Sequence, residues 1–161
     1  MSREHDLESM RQARLAAADR DELLTTQREC TFVFTAPDGW PSGVVMNFLY
    51  VDDRLWLTAV EGRAHVVALA TEPRVSVVVS SAGTVLRGRK MVALRGIATV
   101  HRDRAVLDHW LEVLARGWQP ERYAEFHRLL DTSRRVVIEV ADLRVSASHD
   151  HRKIRSRDPG R

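Results

Sequence analysis

The chain has 161 residues, of which 44% are hydrophobic and 29% are charged, and it carries a net charge of +3. This length allows one domain with a hydrophobic core and excludes two, and the composition is ordinary for a globular protein. A single cysteine excludes an intramolecular disulfide framework, and no apolar run approaches the roughly 18 residues of a membrane span. We expect a cytoplasmic protein with neither a nucleic-acid nor a membrane partner.

The N-terminal part is predicted to be helical over residues 3–27, where leucines recur among charges and neither Gly nor Pro occurs. Residues 1–28 are therefore assigned to a helical segment that packs on the outside of the domain. The main domain is predicted to span residues 29–149. Residues 150–161 are basic, end in Pro-Gly-Arg and are expected to form a flexible tail.

The first three strands are predicted to form an antiparallel meander. Residues 30–35 are β-branched and aromatic, and a Pro-Asp-Gly-Trp turn follows them. A second strand covers 42–51, and Asp52-Asp53 provides a tight reversal into a third strand at 54–59. The second and third strands are apolar at nearly every position. Burial of both faces is typical of a closed barrel whose outer wall meets a helix or a partner subunit.

The second half of the chain adds three strands and two helical insertions. Gly96, in the middle of the fifth strand, indicates a bulge of the kind that curves a barrel. Together the six strands predict a mainly β fold with flanking helices. In chain order these elements are a short helix at 64–71, a strand at 74–80, a polar loop at 81–89, a strand at 90–101, a helical pair at 103–132 and a last strand at 136–140 that extends through 144–148.

The run from Phe32 to Val100 resembles the FMN-binding split-barrel superfamily, which contains pyridoxamine 5'-phosphate oxidases and deazaflavin-dependent reductases. The resemblance implies a six-stranded antiparallel split β-barrel and a homodimer with two cofactor sites at the subunit interface. The matching segments, in order, are Thr35–Pro41, Asn47–Thr58, Gly62–Ala64, Glu72–Val79 and Leu94–Val100.

The resemblance also implies a set of cofactor-binding residues. Its members flank the flavin ring (Met46, Asn47, Leu57, Thr58 and Ala59), meet the phosphate (Arg63 and the backbone at Ala64) or lie near the same groove (Ser80, Ser81 and Lys90). A helix that begins after Gly62-Arg63 would direct free N–H groups at an anion, and a guanidinium adds two parallel hydrogen bonds to a phosphate. Because flavin chemistry resides in the ring, no catalytic side chain is predicted.

Several functions are compatible with this pattern. The first is an FMN-dependent oxidoreductase acting on a small organic substrate. Pyridoxamine phosphate is not expected, because the Arg- and Trp-bearing C-terminal segment of those oxidases has no counterpart here. The alternatives are a deazaflavin-dependent reductase, whose acidic cofactor tail would suit the basic residues 87–90, a non-catalytic flavin or haem binder, and a structural barrel without a ligand. Cys30 is expected to be buried and inert, and Trp56 is interpreted as a packing residue.

Overall fold

The computed structural model describes residues 10–153 of the chain. The predicted helical segment contains a 3-10 turn at Met10–Ala13 and a first α-helix, and its residues 3–9 lie outside the described range. No helix in residues 10–153 is long and apolar enough to cross a membrane. The helices are α1 (Ala17–Thr26), α2 (Ala64–Ala68), α3 (Arg104–Trp118) and α4 (Tyr123–Leu130), with further 3-10 turns at Pro120–Arg122 and His151–Lys153. The strands are β1 (Glu29–Thr35), β2 (Pro41–Asn47), β3 (Leu49–Val51), β4 (Arg54–Val60), β5 (Arg74–Ser80), β6 (Lys90–His101) and β7 (Arg135–Asp150).

The seven strands form one sheet in the order β2-β1-β5-β6-β7-β4-β3, and each neighbouring pair is antiparallel. β2 and β3 lie at opposite ends of this order, yet only Phe48 separates them in the chain. The chain therefore joins the two edges of the sheet and closes it into a split barrel. This confirms the predicted fold class, with seven strands instead of six because the strand expected at 42–51 is interrupted at Phe48.

The corner at Phe48 is held on both its backbone and its side chain. The Phe48 N–H donates to the Arg28 carbonyl over 2.9 Å, and the Phe48 carbonyl accepts a 3.0 Å hydrogen bond from the Trp118 indole at the end of α3. Its ring is fully buried in the barrel core. Both polar groups of the corner are thus satisfied, so the chain can change partner strands without leaving an unpaired buried amide.

Two hydrophobic clusters share the wall made by β4 and β7. One fills the barrel, and the other lies outside it, where α3 and α4 pack on Trp56 and Val137. Trp56 stacks on Trp110 with ring centroids 3.5 Å apart, which confirms its assignment to packing. Cys30 lies in the barrel core, where burial and the charge of Glu29 raise the pKa of its thiol to about 12, so it remains protonated and inert.

The bulge predicted at Gly96 is present in β6. The β6–β7 register shifts between Arg95 and Ile97, and β6 runs close against β7 at this point. A Cβ on Gly96 would lie 2.6 Å from Val140 Cγ1 and 2.8 Å from the Ala141 carbonyl oxygen. The curvature of the barrel therefore requires a residue without a side chain here.

Gly96→Ala is expected to lower the free energy of unfolding by about 1–3 kcal/mol, because a backbone carbonyl cannot move aside as a side-chain tip can. Gly43→Ala is the matched control, since a Cβ there would make an ordinary 3.5 Å contact with Thr31. Urea unfolding monitored by tryptophan fluorescence measures both variants. Equal stability of the two would show that the close approach at Gly96 is not a structural requirement.

Candidate functional site

The barrel is split where β2 and β4 separate. Leu49 pairs with Trp56 in the β3–β4 ladder. If this ladder continued for two more residues, Asn47 would lie opposite Thr58. Instead β2 turns at the corner to pair with β1, while β4 beyond Trp56 pairs with β7 on its other side. Alternate backbone N–H and C=O groups of a strand edge point away from its partner. The split is therefore bordered by two rows of backbone donors and acceptors.

The predicted ring-binding residues divide into two groups by the direction of their side chains. Asn47 lies exposed on the outer face, and Thr58 lies half-buried, with its hydroxyl donating to the Val136 carbonyl over 2.7 Å. A second group faces the barrel core and has only edge backbone groups to offer to a ligand in the split. Its members are Met46, Leu57 and Ala59.

The turn at residues 61–63 forms the basic end of the split. Gly62 adopts a φ of +87°, and a Cβ there would lie 2.9 Å from a guanidinium nitrogen of Arg134. The Arg63 side chain is exposed and makes no ion pair or hydrogen bond within residues 10–153. α2 starts directly after it, and the first N–H groups of a helix, here that of Ala64, lack partners within the helix. A free guanidinium and a free amide thus lie side by side.

Two further arginines surround this turn. Arg102 makes two 2.9 Å hydrogen bonds to the Glu61 carboxylate and holds the pKa of Glu61 below its usual range. Arg134 donates to the Glu61 carbonyl over 2.9 Å. Together with Arg63, this gives the turn three guanidiniums and one carboxylate, so its net charge is positive. Sequence reasoning missed Arg102 and Arg134 because Arg102 follows β6 and Arg134 precedes β7. Only the β6–β7 and β4–β7 pairings bring them to the turn.

Ser80 and Ser81 lie at the end of β5. Ser80 of β5 is exposed on the same outer face as Asn47 of β2, and Glu29 of β1 lies between these two residues. The Ser81 hydroxyl donates to the Gly88 carbonyl and accepts from the Lys90 N–H, each over 2.9 Å. Ser80 can therefore face a ligand on the outer surface, whereas Ser81 closes the base of loop 81–89.

The Lys90 side chain is bound to acidic residues of α1. Its side chain is 4% exposed and lies on the inner side of β6, bound to Glu22 over 2.9 Å and 3.6 Å from Asp19 of α1. The hydrogen bond to Glu22 raises the pKa of Lys90. This ion pair fixes α1 to the barrel, and the reach of Lys90 into the cofactor groove stays a prediction.

His65, two residues after Arg63, is buried against the rings of Phe32 and Phe34. Its Nε2 atom has no hydrogen-bond partner in the described structure. Burial, reinforced by the charge of Arg63, lowers the pKa of His65 below 6.5. The ring is therefore a neutral part of the core beneath the turn. Within residues 10–153 no three His, Cys, Asp or Glu side chains come together as a metal site.

Comparisons with known proteins agree with this architecture. The sequence profile of the pyridoxamine 5'-phosphate oxidase family matches residues 18–146. No curated protein sequence matches the chain. A conserved hypothetical protein from Mycobacterium tuberculosis is similar in structure at 20% identity, over 89% of each chain, with a TM-score of 0.72.

Two further solved structures share the fold and carry a description of what they bind. A FAD-binding protein from Mesorhizobium loti matches at 23% identity, over 83% of this chain and 92% of its own, with a TM-score of 0.57. HutZ, a haem storage protein from Vibrio cholerae, matches at 12% identity, over 80% of this chain and 93% of its own, with a TM-score of 0.63. At these identities the similarity establishes the fold alone.

The buried histidine predicts a specific loss of stability in acid. Below pH 6.5 the unfolded chain binds a proton at His65 that the folded chain does not, so stability falls as pH decreases toward the lowered folded pKa. His65→Leu removes this proton. The wild-type free energy of unfolding should fall more steeply than that of the variant below about pH 6.5, by at most about 1.4 kcal/mol per pH unit. Urea unfolding across this range measures both slopes, and parallel slopes would contradict the assignment.

Proposed function

The chain belongs to the pyridoxamine 5'-phosphate oxidase family, and from that membership we propose that it is a flavin-dependent oxidoreductase that holds FMN in the split between β2 and β4. The observation that carries the proposal is the free guanidinium of Arg63 at one end of two rows of edge backbone groups. This combination suits a flavin mononucleotide, because a guanidinium can bind its phosphate and backbone donors and acceptors can hydrogen-bond to its ring.

The residues present fit such a cofactor. Arg63 and the Ala64 N–H would hold the phosphate, and Arg134 would add positive charge beside it. The Leu57–Ala59 edge of β4 and the Asn47 amide would meet the polar edge of the ring. When bound, the flavin would supply hydride transfer to or from a small organic substrate. The chain's own groups bind and orient it, and pyridoxamine phosphate is not the expected substrate, as the C-terminal segment that grips it has no counterpart.

A second copy of the chain is proposed to close the split. One row of side chains crosses the outer face of the sheet in register, and it is apolar apart from one threonine. Val45, on the same face as Asn47, is 66% exposed. A partner subunit over this row would bury it and cover the ring. The row, in strand order, is Val45, Thr31, Val78, Ala93 and Ala147.

Two other cofactors remain candidates of their own. Arg87 and Arg89 are exposed in loop 81–89, and they favour a deazaflavin coenzyme because its acidic tail would find cations there. Haem is the candidate that the fold similarity to HutZ raises. The absorbance spectrum of the loaded protein separates the three cofactors, since flavin, deazaflavin and haem absorb at different wavelengths. Reduction and reoxidation of the bound cofactor with turnover of substrate separates an enzyme from a storage protein.

Arg63→Ala is expected to weaken FMN binding by about 10- to 150-fold, because a charge-assisted hydrogen bond contributes roughly 1.5–3 kcal/mol. Flavin fluorescence titration measures the dissociation constant. Arg122→Ala is the control, since Arg122 is exposed beside α4 and pairs with Glu125. An unchanged FMN affinity in Arg63→Ala would remove Arg63 from the site.

Val45→Lys is expected to weaken the dimer at least about tenfold, because association would bury an unpaired ammonium group. Sedimentation velocity measures the monomer–dimer equilibrium. Val85→Lys is the matched control, because Val85 is 92% exposed and belongs to loop 81–89 and not to the outer row. Equal dimerisation of both variants would place the subunit contact on another face.

A further inference from the structure

A groove lined by arginines lies on the outer face of the sheet, beside the β1–β2 hairpin. Its volume is about 600 Å³, within the range of small-molecule sites. Val33 and Ile97 contribute apolar surface to its lining, and Arg74, Arg95 and Arg144 contribute the cations. Below it is called the arginine groove. None of the ten predicted cofactor-binding residues lines it.

The three arginines of the groove differ in their partners. Arg74 is neutralised by Glu72, to which its Nε atom donates over 2.8 Å. Arg95 and Arg144 are both exposed, and neither makes an ion pair or a side-chain hydrogen bond within residues 10–153. Asp142, the one carboxylate among the lining residues, forms no ion pair within 4.0 Å in that part of the chain. Two cations of the groove are therefore unneutralised.

Arg95 and Arg144 are also direct neighbours. They oppose each other in the β6–β7 register, next to the bulge at Gly96. Like charges directly opposite on an antiparallel pair repel and destabilise the sheet. An oxyanion between them would replace this repulsion by charge-assisted hydrogen bonds, for which the planar guanidinium is well suited. The two facing guanidiniums therefore have the arrangement that an oxyanion site requires.

We propose that the arginine groove binds a small organic acid. Arg95 and Arg144 hold its carboxylate or phosphate group, and Val33 and Ile97 contact its apolar body. The site is distinct from the flavin split. Arg95 lies three strands away from β2, and the strand register places it in the same cross-strand row as Gly43 of β2, four residues from Asn47. The distance from Arg95 to Asn47 along the sheet is therefore about 20 Å. The proposal therefore stands whether or not FMN is the cofactor.

Isothermal titration calorimetry of the full chain with phenyl phosphate tests the proposal. We expect Arg95→Gln and Arg144→Gln each to weaken binding at least about tenfold, whereas Arg128→Gln, on the exposed side of α4, leaves it unchanged. Arg144→Lys keeps the charge but not the parallel hydrogen bonds, so an intermediate affinity is expected. Inorganic phosphate should bind more weakly than phenyl phosphate. Benzoate compared with phenyl phosphate shows which oxyanion is preferred, and binding of either supports the site.

Three results would overturn the proposal. The first is wild-type affinity for phenyl phosphate in both glutamine variants. The second is an equal loss in Arg128→Gln, which would reduce the effect to net charge. The third concerns Glu29, an exposed carboxylate at the other end of the same face. If Glu29→Gln and Arg95→Gln weaken dimerisation equally in sedimentation and neither changes phenyl phosphate binding, the arginines hold a carboxylate of a second copy. Urea unfolding shows that each variant is folded.

Discussion

The backbone corner at Phe48 joins the two edges of the sheet. At this one residue the chain leaves β1 and begins to pair with β4, and hydrogen bonds to Arg28 and Trp118 satisfy its backbone while its ring fills the core. The same step closes the barrel and opens the split. Closure and the proposed ligand site are therefore two consequences of one bend, and neither could be altered without the other.

Open strand edges and an exposed apolar row are usually liabilities, because they invite non-specific association. In this protein both occur on the same side of the barrel, next to a turn where Arg63, Arg102 and Arg134 concentrate positive charge. A phosphorylated planar cofactor and a second copy of the chain would neutralise both liabilities together. The charge of Lys90, by contrast, is already neutralised by Glu22, and this ion pair attaches α1 to the barrel.

Much of this fold could be predicted from local sequence. Turn residues and β-branched runs located most strands, and the family resemblance, now supported by the match over residues 18–146, led to Arg63 and Asn47. The break of the second strand at Phe48 could not be predicted, because residues 42–51 form one apolar run and the break depends on a hydrogen bond from Trp118, 70 residues away. The direction of Lys90 depends on which face α1 covers, and the approach of Arg134 depends on strand register. Both are non-local properties.

In the proposed dimer the flavin site is made by two copies of the chain and is incomplete in one. Native mass spectrometry of the purified protein, mixed with FMN and diluted through the dimer dissociation range, tests this most directly. We expect dimers that carry two FMN molecules and monomers that carry none. Monomers that retain FMN, or dimers that bind no flavin at saturating FMN, would contradict it.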